Sequence, residues 1–149
     1  MAILITGGTG FIGSHTVVEL LNAGREVVIV DNLSNSKRCV IDRIEQITGK
    51  RPKFYEADLC DYDAAEKVFK ENEFSAVIHF AGLKAVGESV EKPLEYYRNN
   101  LDSTFNLCLL MRKYGVHKIV FSSSATVYGL PKSVPITEDF PLSTTNPYG

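Results

Sequence analysis

With 149 residues, and 16 Lys plus Arg against 18 Asp plus Glu, the chain is long enough for one ordinary domain and too evenly charged to present a nucleic-acid or anionic-membrane surface. Basic residues come only in pairs such as Lys37-Arg38 and Lys50-Arg51, and the three cysteines, Cys39, Cys60 and Cys108, are widely spaced with no Cys-x-x-Cys pair or histidine cluster beside them. This usage argues against zinc and disulfides, and with no apolar run approaching a membrane span or a signal peptide the expectation is a soluble cytoplasmic protein with reduced thiols and no metal.

The predicted elements alternate strand and helix. An apolar run at 2–5 reads as a strand and leads into Thr6-Gly7-Gly8-Thr9-Gly10-Phe11-Ile12-Gly13. A helix over 11–23 follows, turning Val17, Leu20 and Leu21 toward the sheet and stopping at Gly24. The run 27–30 is a second strand, closed by Asp31. A helix over 37–47 carries Val40, Ile41, Ile44 and Ile47 at helical spacing, with Gly49 beyond its end. Further strands are expected at 53–57, 76–80 and 118–122, with helices over 62–71, where Asp61 is the N-cap, and over 93–114, where Pro93 suits the first position. Such gaps imply crossovers, so the fold class is α/β: a Rossmann-type doubly wound parallel sheet. Beyond Ser122 the chain turns irregular, with Pro131, Pro135, Pro141 and Pro147 close together. Five strands with four intervening helices leave the last strand uncovered, so residues 1–149 read as an incomplete dinucleotide-binding domain at the front of a longer protein. The alternative is a natural half-length protein with a partner over that face.

The segment from residue 2 to Asp31 carries the clearest chemical signal. The glycines, read either as Gly8-x-Gly10-x-x-Gly13 or as Gly7-x-x-Gly10-x-x-Gly13, supply a tight turn out of the strand, close approach of phosphate oxygens to main-chain N–H groups, and close helix–strand packing. Phosphate then lies on the positive end of a helix. Asp31 follows Gly8 by 23 positions, near the ~20-residue offset at which a carboxylate accepts both hydrogen bonds of an adenosine ribose diol. The same carboxylate repels a 2′-phosphate, so NAD is expected over NADP.

Ligands bind at strand ends in an open parallel sheet, which makes the next two loops the other candidates. After the fourth strand come the small residues Ala81, Gly82, Ala85 and Gly87 with Lys84 among them; a phosphate contact and a plain turn bearing a solvated lysine both suit that pattern. After the fifth come Ser122, Ser123, Ser124 and Thr126, expected at the switch point beside the nicotinamide, although serines there also serve ordinary loop hydrogen bonding. Gly-x-Ser-x-Gly is absent, His15 and His79 read as structural, and His117 starts the fifth strand at the opposite sheet edge, so a hydrolase nucleophile has no support. Tyr148 is the better acid/base candidate, since positive neighbours lower a phenol pKa from its usual ~10.

Together, residues 6–13, Asp31-Asn32-Leu33-Ser34-Asn35-Ser36, His79 to Ser89, Pro93-Leu94-Glu95-Tyr96-Tyr97 with Asn99-Asn100, Ser122 to Gly129 and Pro147-Tyr148-Gly149 resemble the UDP-glucose 4-epimerase family of extended short-chain dehydrogenase/reductases. That resemblance covers the whole chain. It implies that Phe11, Ile12, Asp31, Asn32, Asn35, Ser36, Asp58, Leu59, Phe80, Ala81, Gly82, Lys84, Asn99 and Ser122 serve NAD beside the glycines. It further implies that Ser124 and Tyr148 are the catalytic hydroxyls, and that Lys84, Ala85 and Val86 border the UDP-hexose. The family's tyrosine opens Tyr-x-x-x-Lys, and neither that lysine nor the family's uridine-binding lobe lies within residues 1–149. The fragment alone is therefore expected to be inactive, and the full-length protein to be a homodimer built on the long fourth helix. Two rivals stand beside this reading. A 4,6-dehydratase or decarboxylase would carry acids where this chain has Ala125 and Thr126, and a non-catalytic dinucleotide-sensing module would have lost the Ser124 and Tyr148 hydroxyls.

Overall fold

Apolar runs with little alternation form strands buried on both faces, and β2 (Val27–Asp31) buries all five of its residues. In the computed structural model, which describes residues 1–149, it joins β1 (Ala2–Thr6), β3 (Lys53–Glu56), β4 (Phe74–His79) and β5 (Ile119–Phe121) in one parallel sheet. The order is β3-β2-β1-β4-β5, the Rossmann arrangement, with its topological switch between β1 and β4.

Helices α1 (Phe11–Asn22) and α2 (Cys39–Thr48) cover one face; α3 (Tyr62–Lys70) and α5 (Pro93–Lys113) cover the other. Successive strand residues point to opposite faces, so Ile5 and Ile29 meet Val17, Leu21, Ile41 and Ile44, whereas Leu4 and Val28 meet Val68, Phe69, Leu107 and Leu110. Across α3 and α5, the nearly buried Glu66 accepts from both Lys70 and Lys113, which hold its carboxyl down at about 2.

Four expectations are corrected. The second helix starts at Cys39 rather than Lys37, because the preceding loop is tied back: Ser36 donates to Asp31 and the Ser34 amide to Asn32. Ile47 is 67% exposed, since two three-residue steps from Ile41 rotate it about 120° off the buried face. A short helix, α4 (Val86–Glu91), occupies what the small residues suggested was loop. Finally, β5 is only three residues long, all exposed, and is followed by an irregular chain with one 3-10 turn at Ala125–Tyr128.

Candidate functional site

The carboxyl ends of the strands open into two adjoining clefts that share the loop 81–84 as a common wall. The first, of about 300 Å³, crosses the switch point and is lined by Gly7, Gly10, Phe11, Ile12, Gly13, Asp31, Asn32, Asn35, Asp58, Leu59, Phe80, Ala81, Gly82, Lys84 and Asn99. Of the residues expected to serve a cofactor, only Ser36 and Ser122 lie outside this lining. Ser36 sits behind Asp31, and Ser122 lines the second cleft, because β5 is one strand removed from the switch point.

The glycine turn is dictated by space. Gly7 has φ +67°, and a Cβ there would stand 2.7 Å from the Ala81 amide nitrogen; one on Gly13 would overlap the Gly7 carbonyl oxygen. Strand, turn and helix can approach this closely only without side chains. At the start of α1 the N-cap is Gly10, which has no side chain to satisfy the amides, and the first turn has no acid. By contrast, α3 is capped by Asp61, whose carboxylate accepts from the Asp63 and Ala64 amides. The uncapped amides of α1 face the first cleft and suit a pyrophosphate.

Asp31 is 8% exposed and already engaged. Its Oδ2 accepts from the Thr9 amide at 3.1 Å, and its Oδ1 from the Leu33 amide at 2.9 Å and Ser36 Oγ at 3.2 Å. A carboxylate has about four acceptor positions, so about one is left. Acceptance of both ribose hydroxyls is thereby narrowed to one, or to displacement of Ser36. Beside it, Asn32 donates to Asp58; burial opposes ionisation of Asp58, but the Cys60 amide and Asn32 outweigh it and hold its carboxyl below the usual range.

The shared wall is braced from beneath. Burial, and then the charge of Lys84, push His79 down to about 4, so its imidazole is neutral. Its Nε2 lies 3.2 Å from Thr104 Oγ1, whose proton is committed to the Asn100 carbonyl, and its Nδ1 lies 2.6 Å from Thr6 Oγ1. The proton therefore sits on Nε2, and Thr6 donates to Nδ1 while accepting from the Ala81 amide. Asn100 grips Leu83 on both sides, accepting from its amide and donating to its carbonyl. Lys84 lines both clefts, and desolvation there lowers its pKa from the ordinary ammonium value.

The second cleft, of about 270 Å³, is lined by loop 81–84, Asn100, Leu101, Thr104, residues 121–124, Val127, Tyr148 and Gly149. It brings Ser124 and Tyr148 together. Ala85 and Val86 do not line either cleft: Ala85 caps α4 and its amide is held by Tyr96, which in turn donates to Glu88. Ser124 Oγ accepts from the Thr126 amide at 3.2 Å and from Thr126 Oγ1 at 3.0 Å. Tyr148 is placed by a turn in which Asn146 accepts from the Gly149 amide, while the Tyr148 amide reaches the buried Ser89 hydroxyl at 3.3 Å. Gly149 packs so closely on the 3-10 turn that a Cβ would stand 2.9 Å from the Thr126 carbonyl oxygen.

Sequence reasoning missed Val30, Ser34, Ala57, Leu83 and Ser103 in the first lining, and Ser89, Asn100 and Asn146 as braces. Asn146-Pro147 before the tyrosine is a legible turn signal. Asn100 lies inside a helix and meets Leu83 only through the fold, so no local pattern could reveal it.

The family model described as GDP-mannose 4,6 dehydratase matches residues 4–149. The UDP-glucose 4-epimerase of Bacillus subtilis (strain 168) is 68% identical over 149 residues, which is all of this chain and 44% of that protein. The chain thus spans less than half the length of the curated relatives it resembles. Among solved structures, UDP-glucose 4-epimerase from Bifidobacterium longum in complex with NAD+ and UDP superposes with a TM-score of 0.97 at 58% identity, over 99% of this chain and 44% of that one. The Stenotrophomonas maltophila enzyme, with NAD and formylated UDP-arabinopyranose, gives 0.95 at 45% identity over 99% and 44%.

Proposed function

The chain belongs to the nucleotide-sugar family described by the GDP-mannose 4,6 dehydratase model, and within it we propose that the protein is an NAD-dependent UDP-glucose 4-epimerase. The observation that carries this reading is the pair of clefts: glycine turn, uncapped helix and Asp31 in one, Ser124 and Tyr148 in the other, with Lys84 on the wall between.

In this reading Gly7, Gly10 and Gly13 with the α1 amides hold the pyrophosphate of NAD and Asp31 takes a ribose hydroxyl. Asn32, Asn35, Asp58, Leu59, Phe80, Ala81, Gly82, Lys84 and Asn99 complete the cradle, Ser36 acts by fixing Asp31, and Ser122 serves from the second cleft. NAD supplies a reversible two-electron acceptor for carbon 4 of the hexose. Tyr148, as phenolate, takes the proton of the 4-hydroxyl and later returns it; Ser124 donates a hydrogen bond to the same oxygen. Lys84 lines the second cleft from the shared wall, opposite no acidic side chain. Epimerisation requires the sugar to turn between loss and regain of hydrogen at carbon 4, and the second cleft offers it no carboxylate to promote elimination. That absence favours epimerase over dehydratase, and the retention of both Ser124 and Tyr148 in the lining of one cleft argues against a non-catalytic sensor.

The reading extends to a homodimer, supported by the exposed stripe Leu94, Tyr97, Leu101, Phe105 and Leu109 along α5. It also extends to the cytoplasm, where the unpaired Cys39, Cys60 and Cys108 suit a reducing environment. A polypeptide limited to residues 1–149 lacks the lysine of Tyr-x-x-x-Lys and is proposed to be inactive. The test is product analysis of the full-length protein given UDP-galactose and no reductant. UDP-glucose is expected; a 4-keto-6-deoxy sugar nucleotide would replace this reading with the dehydratase.

A further inference from the structure

We propose that Thr126 is a positioning residue that keeps Ser124 a hydrogen-bond donor throughout the reaction, an inference resting on the roles given above to Ser124 and Tyr148. A serine hydroxyl has one proton and two acceptor positions. Thr126 fills both positions on Ser124, one with its amide at 3.2 Å and one with its own hydroxyl at 3.0 Å. What Ser124 has left to offer the cleft is its proton.

The direction of the hydroxyl pair follows from the chemistry. Were Ser124 to donate to Thr126, no proton would remain for the sugar oxygen. That oxygen has a proton as an alcohol but only lone pairs as a ketone, so at the ketone stage a serine able to turn its lone pairs inward would repel it. A donor-only serine meets both states with the same geometry. It also leaves the proton of the 4-hydroxyl to Tyr148 alone, so Ser124 is not a relay between them.

Thr126 is suited to this by its surroundings. It does not itself line the cleft. Its carbonyl accepts from the Gly129 amide at 3.2 Å and lies against Gly149, next to the tyrosine. The turn that sets the polarity of Ser124 is thus packed on the segment that places Tyr148.

The test compares Thr126→Val and Thr126→Ala, which delete the hydroxyl, with Thr126→Ser, which keeps it, in the full-length protein. Deletion should lower kcat about tenfold while KM for UDP-galactose changes by less than about twofold, and should move the acid limb of the kcat–pH profile to higher pH; Thr126→Ser should stay within about threefold of wild type. Unchanged kcat and pH profile in a folded deletion variant, a change in KM alone, or an equal loss in Thr126→Ser would each overturn the proposal. A crystal structure of Thr126→Val decides independently of turnover. A water or the Tyr148 phenol should donate to the vacated position on Ser124 Oγ, and a Ser124 with no new donor would contradict the inference. Wild-type protein that turns over no UDP-galactose would instead remove the epimerase reading, leaving the crystallographic result to judge Thr126.

Discussion

The two clefts share a wall yet are built differently. Around the first, the ends of β1, β2 and β4 are central strands with buried polar groups locked to one another: Asp31 to Thr9, Leu33 and Ser36, and His79 to Thr6 and Thr104. The second hangs on a three-residue edge strand whose side chains are exposed, and on an irregular segment tied down by single bonds, Ser143 amide to Val127 carbonyl and Tyr148 amide to Ser89. A binding cradle needs fixed backbone, which a sheet centre supplies. Proton transfer needs a few hydroxyls at one oxygen, which loops can supply when a small number of hydrogen bonds aim them.

If the clefts divide the labour in this way, damage to the second should spare the first. Tyr148→Phe in the full-length protein should lower kcat by roughly 10²–10⁴-fold while NAD titrates as in wild type. Parallel loss of NAD affinity would show that the clefts are not separable. The converse change is Asp31→Asn, which removes charge from the first cleft. Here the preference for NAD over NADP, measured by titration, should fall by roughly tenfold or more, because like-charge repulsion of the 2′-phosphate is relieved. An unaltered preference would remove Asp31 from specificity.

The smallest effect probes the shared wall through pH. Burial and Lys84 hold His79 at about 4, below its ordinary 6.5, so its neutral form contributes stability that is fully present above about pH 6.5 and lost as pH falls through about 4. The shift corresponds to on the order of 3 kcal/mol. Glu66, held at about 2 from an ordinary 4.5, gives way only below that window, as pH falls from about 4.5. Stability of the wild type to denaturant should therefore fall between about pH 7 and pH 4.5, and that of His79→Asn should fall less over the same interval. Equal slopes for the two proteins would assign the acid sensitivity elsewhere.

The same contrast explains what was legible in the sequence. The glycine turn, its following helix and Asp31 are local in sequence, so spacing alone placed them in one cleft, and the Asp61 cap was readable for the same reason. Ser124 and Tyr148 are each readable as candidates, one from its strand end and the other from its phenol, but their pairing comes only through motif resemblance, since nothing in their spacing says they meet across the tail. Helix α4 was hidden by Gly87 and Ser89, whose weak helix preference is overridden by packing and by Tyr96 holding its first turn. The engagement of Asp31 by three protein donors was equally invisible, because it depends on how the loop after β2 folds back.

The most direct test of the central claim, that the second cleft passes hydrogen at carbon 4 to a group held in the first and takes it back, is an isotope measurement. Full-length protein loaded with NAD is given UDP-galactose deuterated at carbon 4, with no other reductant, and the UDP-glucose formed is examined by NMR and mass spectrometry. Retention of deuterium at carbon 4 of the product is the predicted result. Replacement of that deuterium by solvent hydrogen would contradict the account.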